Sequence, residues 1–246
     1  MSRGTPATGP PSRRTAKRRI ARIVELLEGA YGVPDYRGGR DLVGALVRTI
    51  LSQNTTDVNS GRAYRSLRER FSDWGDVESA NVRSIEAAIR GGGLARTKAR
   101  RIKAILRSIR AESGELDLSF LRRMSDDEVF DYLLALDGVG AKTAACVALF
   151  NLDRDIMPVD THVHRVVGRL GVVGSPRTPD ATFRAVRDLL PEGKALSLHI
   201  NLITLGRAVC RPSAPQCERC PVRRLCDRGR GRSTSRKRPP DAPELA

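Results

Sequence analysis

The chain reads as an all-α protein, and three observations predict that class. Apolar residues recur at helical spacing in segment after segment, no run alternates with the period of two that a half-buried strand needs, and capping residues and glycines punctuate the periodic stretches. The 246 residues suffice for one or two domains with a buried core. Lys and Arg number 44 against 28 Asp and Glu, a net charge of +16, so a polyanion is the expected partner. Aromatic residues make up only 4%, which disfavours a base-stacking single-strand or RNA module and leaves duplex backbone contact as the better fit. No apolar run reaches the length of a membrane span, and no apolar signal core follows the basic start. The expectation is a protein without membrane association, cytoplasmic by default.

Taken in order, residues 1–18 are rich in Pro, Gly, Ser and Thr and basic, and read as a disordered arm. A helix is expected from Arg19 to Tyr31, with Ile20, Ile23, Val24 and Leu27 on one stripe and Gly32 and Pro34 closing it. From Asp41 the segment DLVGALVRTILSQ forms a second helix, which ends in the polar loop NTTD. Gln53 and Asn54 at this end are either ordinary polar caps or groups with a task. Asp57 caps the next helix, around Val58–Phe71, or faces a pocket. One helix is expected over Asp76 to Arg90, stopped by the glycine triplet 91–93. Leu94 follows, either buried in its loop or exposed for a purpose. The helix TKARRIKAILRSIRAES then stacks Ile102, Ile105, Leu106 and Ile109 on one face. Arg96, Lys98, Arg100, Arg101 and Lys103 crowd its entry, as a solvated face or as a grip on phosphates. Residues 114–124 are a connector, Asp180–Leu190 and Leu196–Leu205 are further helices, and 229–246 is a low-complexity tail expected to be disordered.

The stretch Ser125 to His164 organises the chain. Ser125 with Glu128 forms a capping box that starts a helix with Val129, Tyr132, Leu133 and Leu136 on its apolar face. Asp137-Gly138-Val139-Gly140 breaks that helix, and a second begins near Ala141. Glycines before a helix N-terminus leave backbone N–H groups free at the positive end of the dipole, which makes a phosphate seat. Lys142 lies in the first turn of this helix, where the dipole disfavours a cation. It is either a solvated surface lysine or an amine nucleophile. The residues from Leu152 to Val159, extended, can span about 26–29 Å and so bring Asp160 back beside Lys142. Asp160 also reads as the N-cap of the helix THVHRVVGRL, and the two roles are compatible. GVGAKT is not a P-loop: Ala141 precedes the lysine where a glycine is needed, and a helix rather than a strand leads in, so no nucleotide cofactor is expected. His162 and His164, two apart on a helix, do not share a face and do not chelate.

Four of the five cysteines cluster at Cys210, Cys217, Cys220 and Cys226, with six, two and five residues between them. The segment has no apolar core of its own, so a metal centre is the expected cross-link, either Zn²⁺ or an iron–sulfur cluster. Cys146 lies on the apolar face of the lysine helix as a small core residue.

LDGVGAKTA followed by PVDTHVHRV resembles the helix-hairpin-helix and Gly/Pro-rich-Asp signature of the endonuclease III family of DNA glycosylases, and the likeness extends over about residues 20–227. The resemblance implies Lys142 as nucleophile and Asp160, eighteen residues on, as its partner. It implies contacts from Gly138, Val139, Gly140 and Thr143 to DNA phosphate, and a [4Fe–4S] cluster on the four cysteines in place of zinc. The cluster loop would press Arg211 and Arg219 against the backbone. LSQNTTD resembles the segment that fills the space left by the extruded base, through Asn54 or the adjacent Gln53. GLARTKA resembles the loop that wedges a leucine into the duplex, which implies Leu94, with Lys98 on the phosphates beside it. Asp137 departs from the proline common at that place, and puts an anion near the phosphate seat. Arg48 stands where adenine-mismatch glycosylases carry a catalytic glutamate, which argues for a bifunctional glycosylase/lyase instead.

The family's architecture implies a six-helix lobe over 35–153 containing the helix-hairpin-helix 125–152. A second lobe of 19–34 plus 154–228 carries the cluster, and a DNA-binding cleft lies between the two. The implied function is a monomeric base excision repair enzyme that removes oxidised pyrimidines from damaged duplex DNA and nicks the abasic site. The rival is a non-catalytic helix-hairpin-helix DNA-binding protein with a zinc-stabilised C-terminal segment.

Overall fold

Hydroxyl, carboxylate and amide side chains start most of the helices. In the computed structural model, which describes residues 11–36, 38–174 and 176–230, Ser12 Oγ accepts from the Thr15 N–H and opens α1 (Arg13–Tyr31). Asp41 opens α2 (Leu42–Ser52), Thr56 opens α3 (Asp57–Arg70) and Asp73 opens α4 (Trp74–Ser79) in the same way. Each cap satisfies an N–H that the helix itself cannot. No strand forms among the described residues, and none of their helices is long and apolar enough to cross a membrane.

Two expectations need correcting. Residues 13–18, read as part of a disordered arm, are the first turns of α1: Ser12 caps the helix and Ala16 is buried at 2% exposure. Residues 1–10 and 231–246 lie outside the described residues, while 229 and 230 belong to the short α12 (Asp227–Arg230). The single helix expected over 76–90 is two. Ala80 is extended, and Asn81 Oδ1 accepts from the Ser84 N–H at 2.9 Å to start α5 (Val82–Ala88). A local amide cap outcompetes helical continuation there.

Helix α2 buries Leu42, Leu46, Val47, Ile50 and Leu51 and packs on α3 and α8 (Ala141–Asn151). Each fully buried Leu or Ile stabilises the fold by about 1.5–3 kcal/mol relative to exposure. Helix α6 (Ala95–Ser113) lies on α4 and α5, with the Lys103 ammonium donating to the carbonyls of Glu78 and Ala80 at the end of α4. Helix α7 (Asp126–Ala135) begins with the expected capping box and packs on α8 through the reversal at 136–140.

A second group of contacts joins α1, α9 (Thr161–Leu170), α10 (Pro179–Arg187) and α11 (Ala195–Ala208). Glu28 of α1 meets Lys194 at 3.0 Å and the Ser197 hydroxyl, which pins α1 to the start of α11. Arg19 donates to the carbonyls of Leu170 and Leu225 and to Asp227, and so ties α1 to the cysteine segment. Phe130 stacks on Phe183 at 5.5 Å, joining α7 to α10.

Candidate active site and nucleic-acid interface

The reversal between α7 and α8 depends on Gly138. Its φ is +74°, and a Cβ there would lie 1.8 Å from Arg101 Nε. The Val139 side chain is buried at 6% exposure and its N–H donates to the Leu136 carbonyl at 3.0 Å, so Val139 anchors the turn and offers no free donor. Gly140 is exposed and begins α8 without a side-chain cap. The Gly140 carbonyl collects the N–H groups of Thr143 and Ala144. The expected contact from Thr143 to DNA needs correcting: its side chain is 3% exposed and its hydroxyl accepts from Gln53 Nε2 at 3.1 Å.

Lys142 follows at the second position of α8, half-buried, with Thr143 through Leu149 buried behind it. Asp160 comes back as the N-cap of α9, its Oδ1 accepting from the Val163 N–H at 2.7 Å. Both side chains line one open cleft of about 830 Å³. No direct ion pair joins them among the described residues. Helices α2, α3, α8 and α11 wall this cleft. Asp57 and Arg207 meet at 3.1 Å at its edge, joining α3 to α11.

Sequence reasoning missed three parts of this cleft. His199 is 4% exposed and lines its floor. Its Nδ1 lies 2.9 Å from the Pro158 carbonyl; a carbonyl only accepts, so Nδ1 carries the proton and Nε2 is a bare acceptor. Burial pushes its pKa down to about 4 against the opposing pull of Asp160 and the Pro158 bond, with Lys142 adding to the fall, so the ring is neutral at physiological pH. Tyr36, Phe150 and His199 form an edge-to-face row at 5.1 and 5.7 Å. Arg48 lies 4.3 Å over the Tyr64 ring, and both line the cleft. Cys146, expected in the core, is buried, and burial raises its thiol pKa. His164 meets the Thr182 hydroxyl at 2.7 Å and His162 accepts from Arg165 at 3.1 Å, so each histidine has its own partner.

Two loops flank the hairpin, and each carries a non-glycine residue in the left-handed region: Asn54 at φ 52° and Leu94 at φ 48°. Asn54 is exposed, and Leu94 is 59% exposed. Gln53 is engaged instead. It donates to Thr143 and to the Gly138 carbonyl at 3.4 Å, and accepts from Arg101 at 2.7 Å. Lys98 also departs from expectation. It is 2% exposed and cannot reach a phosphate; its ammonium donates to the carbonyls of Leu51 and Gly92, both at 2.7 Å. Desolvation lowers its pKa.

The four clustered cysteines line one pocket with Arg169, Val209 and Pro215. Arg169 donates to Cys210 Sγ at 3.3 Å and to the carbonyls of Cys210, Arg211 and Pro212, while the Gly229 N–H donates to Cys226 Sγ at 3.3 Å. Donors aimed at sulfur suit thiolate ligands. Among the described residues no three His, Cys, Asp or Glu groups converge tightly enough for a single metal ion. Four thiols lining one pocket form a donor set that suits either Zn²⁺ or an iron–sulfur cluster. The Arg211 side chain is exposed on this loop.

Residues 47–192 match the model of the HhH-GPD superfamily of base excision DNA repair proteins. A putative DNA glycosylase of Arabidopsis thaliana is 42% identical over 166 residues, covering 68% of this chain and 57% of that protein. The endonuclease III of Thermotoga maritima is 35% identical over 195 residues, covering 78% of this chain and 87% of the relative. A trapped endonuclease III–DNA covalent intermediate, solved as an estranged-adenine complex, superposes with a TM-score of 0.74 at 27% identity, covering 87% of this chain and 97% of that one. A hairpin leading into Lys142, an Asp160 returned to the same cleft, and kinship along most of the chain agree: this protein belongs to the HhH-GPD superfamily of base excision DNA repair proteins, within the endonuclease III family of DNA glycosylases.

Proposed function

We propose that the chain is a bifunctional DNA glycosylase and abasic-site lyase that acts as a monomer in the cytoplasm, at the nucleoid, and removes oxidised pyrimidines from duplex DNA. The single observation that carries this reading is that Lys142 and Asp160, from two different helix starts, line the same cleft. The open N–H groups of Gly138 and Gly140 take a backbone phosphate, while Leu94 and Asn54 occupy the gap left by the extruded nucleotide. On this reading helices α2–α8 form one lobe and α1 with α9–α12 the other, with DNA between them.

The Lys142 Nζ lone pair forms a bond to the sugar C1′ as the bond from C1′ to the base breaks, and the electrons of that bond leave with the base. Asp160 takes the proton released from the new secondary ammonium and delivers it to the departing base. Its carboxylate also offsets the positive charge that develops on the sugar. Opening of the sugar ring gives a Schiff base. Loss of a 2′ proton then expels the 3′ phosphate and nicks the strand. The neutral His199 adds no further positive charge beside these groups.

Cys210, Cys217, Cys220 and Cys226 would hold a [4Fe–4S] cluster, which supplies the covalent cross-link for a segment without its own core. The test of the catalytic reading is borohydride trapping on an abasic-site duplex. The wild type gives a covalent adduct and Lys142→Ala gives none; a wild type that binds the duplex without an adduct refutes the lyase and leaves a monofunctional glycosylase or a binding module.

A further inference from the structure

We propose that Lys98 is a positioning residue for base extrusion, whose buried ammonium clamps the loop ending in Asn54 to the loop ending in Leu94 so that both enter the duplex at a fixed separation. The proposal rests on the glycosylase reading and deepens it.

The ammonium holds two points, and the helix itself supplies a third. The Lys98 Nζ donates to Leu51 at the end of α2 and to Gly92 in the wedge loop, each at 2.7 Å. Its own backbone N–H donates to the Leu94 carbonyl at 3.0 Å. Leu51 stands three residues before Asn54 and Gly92 two before Leu94, so one side chain fixes the base of both loops. Asn54 and Leu94 are two of only four non-glycine residues with positive φ among those described. A strained tip persists only where its surroundings over-determine it.

Stability alone does not explain a lysine here. The ammonium is 2% exposed, pairs with no carboxylate among the described residues, and sits in the first turn of α6, at the positive end of its dipole. Burial also lowers its pKa, the mark of a cation held against its solvation preference. An apolar side chain of the same length would avoid the cost of burying a charge but leave the carbonyls of Leu51 and Gly92 without this donor. What such a side chain lacks is the bond to both carbonyls.

The clamp continues to the reacting centre. Gln53, between Leu51 and Asn54, bonds Thr143 and the Gly138 carbonyl, and Arg101 holds Gln53 from the helix that also carries Lys98. Thr143 is the neighbour of Lys142. The two inserting side chains and the amine therefore share one continuous polar frame.

The test compares two substrates with the full-length protein. One is a duplex carrying 5-hydroxycytosine opposite guanine, where a stacked and paired base must be extracted. The other carries an abasic site, where no base has to leave the stack. In single turnover, Lys98→Met slows base release about tenfold more than it slows nicking and borohydride trapping at the abasic site. In the background of Leu94→Ala, Lys98→Met costs little further base release, because both act on the same step. Equal losses on the two substrates, no loss on either, or additive losses in the double variant overturn the proposal. If Lys98→Met does not fold, Lys98→Gln, which shortens the reach to one carbonyl, gives the same comparison with the same direction. A wild type that neither releases the base nor traps on the abasic duplex identifies the glycosylase reading, not the clamp, as the failure.

Discussion

Asp160 has two jobs that a pair of substitutions separates. Its Oδ1 accepts from the Val163 N–H at 2.7 Å and so caps α9, and its carboxylate lines the cleft with Lys142. Asparagine is as good an N-cap as aspartate, so Asp160→Asn keeps the hydrogen bond and loses only the favourable charge at the helix dipole, about 0.5 kcal/mol. Asp160→Ala loses both, about 1.5 kcal/mol together. For a chain of this size that is a difference in Tm of about 2–4 °C between the two variants. Activity follows the other property. Both substitutions remove the proton acceptor, and both lower single-turnover base release by about 10²–10⁴-fold. Thermal melting and single-turnover assays on one preparation of each variant read the two effects independently. If Asp160→Asn releases base at the wild-type rate, the carboxylate is a cap and nothing more, and the proton-relay role fails.

Three further outcomes follow from the geometry. Gly138→Ala adds a Cβ 1.8 Å from Arg101 Nε at a φ of +74°. Left-handed strain of about 1 kcal/mol and loss of the charged Arg101–Gln53 bond, about 1.5–3 kcal/mol, together lower Tm by about 5–16 °C in calorimetry. The second concerns His199, whose pKa is depressed to about 4 from the usual 6.5, chiefly by burial. The unfolded chain therefore binds more protons between these values, stability is complete above pH 6.5, and it falls by about 3 kcal/mol as pH drops to 4. His199→Gln flattens that part of a denaturation series across pH; an unchanged slope assigns the loss to other groups. Finally, Cys217→Ser removes one thiolate from the pocket shared with Cys210, Cys220 and Cys226. Iron content and the brown cluster absorption fall, and the 210–226 segment becomes the first site of limited proteolysis. A colourless wild type that binds zinc stoichiometrically contradicts the cluster.

The local devices were legible in the chain before any coordinates. The capping box at Ser125 and Glu128, the glycine reversal and the cap at Asp160 depend on neighbours within a few residues. What escaped depends on distance along the chain. His199 sits in the apolar run SLHINL, with no local sign that its ring reaches a cleft whose other groups lie at Lys142 and Asp160. Lys98 is a different kind of miss. Its basic neighbours suggested a phosphate grip, yet Lys98, Ile102, Ile105 and Ile109 follow helical spacing and share the buried stripe of α6. Periodicity carried the right answer, and charge clustering obscured it. The break at Ala80 shows a third limit: an asparagine within a periodic stretch can end one helix and start another.

The pattern of helix starts says where this chain makes room for a partner. Helices α1 to α5, α7, α9 and α10 each begin with a side-chain acceptor on a first-turn N–H. Helix α11 lacks one of its own but receives Asp155, which accepts from Gly193 and Ala195. Setting aside the four-residue α12, whose Gly229 N–H meets Cys226 Sγ, that leaves α6 and α8, capped by Leu94 and Gly140 with no side-chain bond and each carrying a lysine in its first turn. Leaving an N-terminus uncapped costs about 1 kcal/mol, and a cation there adds to the cost. In a chain that caps its other helices with such regularity, the two open ends lie at Leu94 and beside Lys142. An N–H that no side chain occupies remains available to a phosphate oxygen, so on the proposed reading the stability forgone at these two positions is what bound DNA would restore.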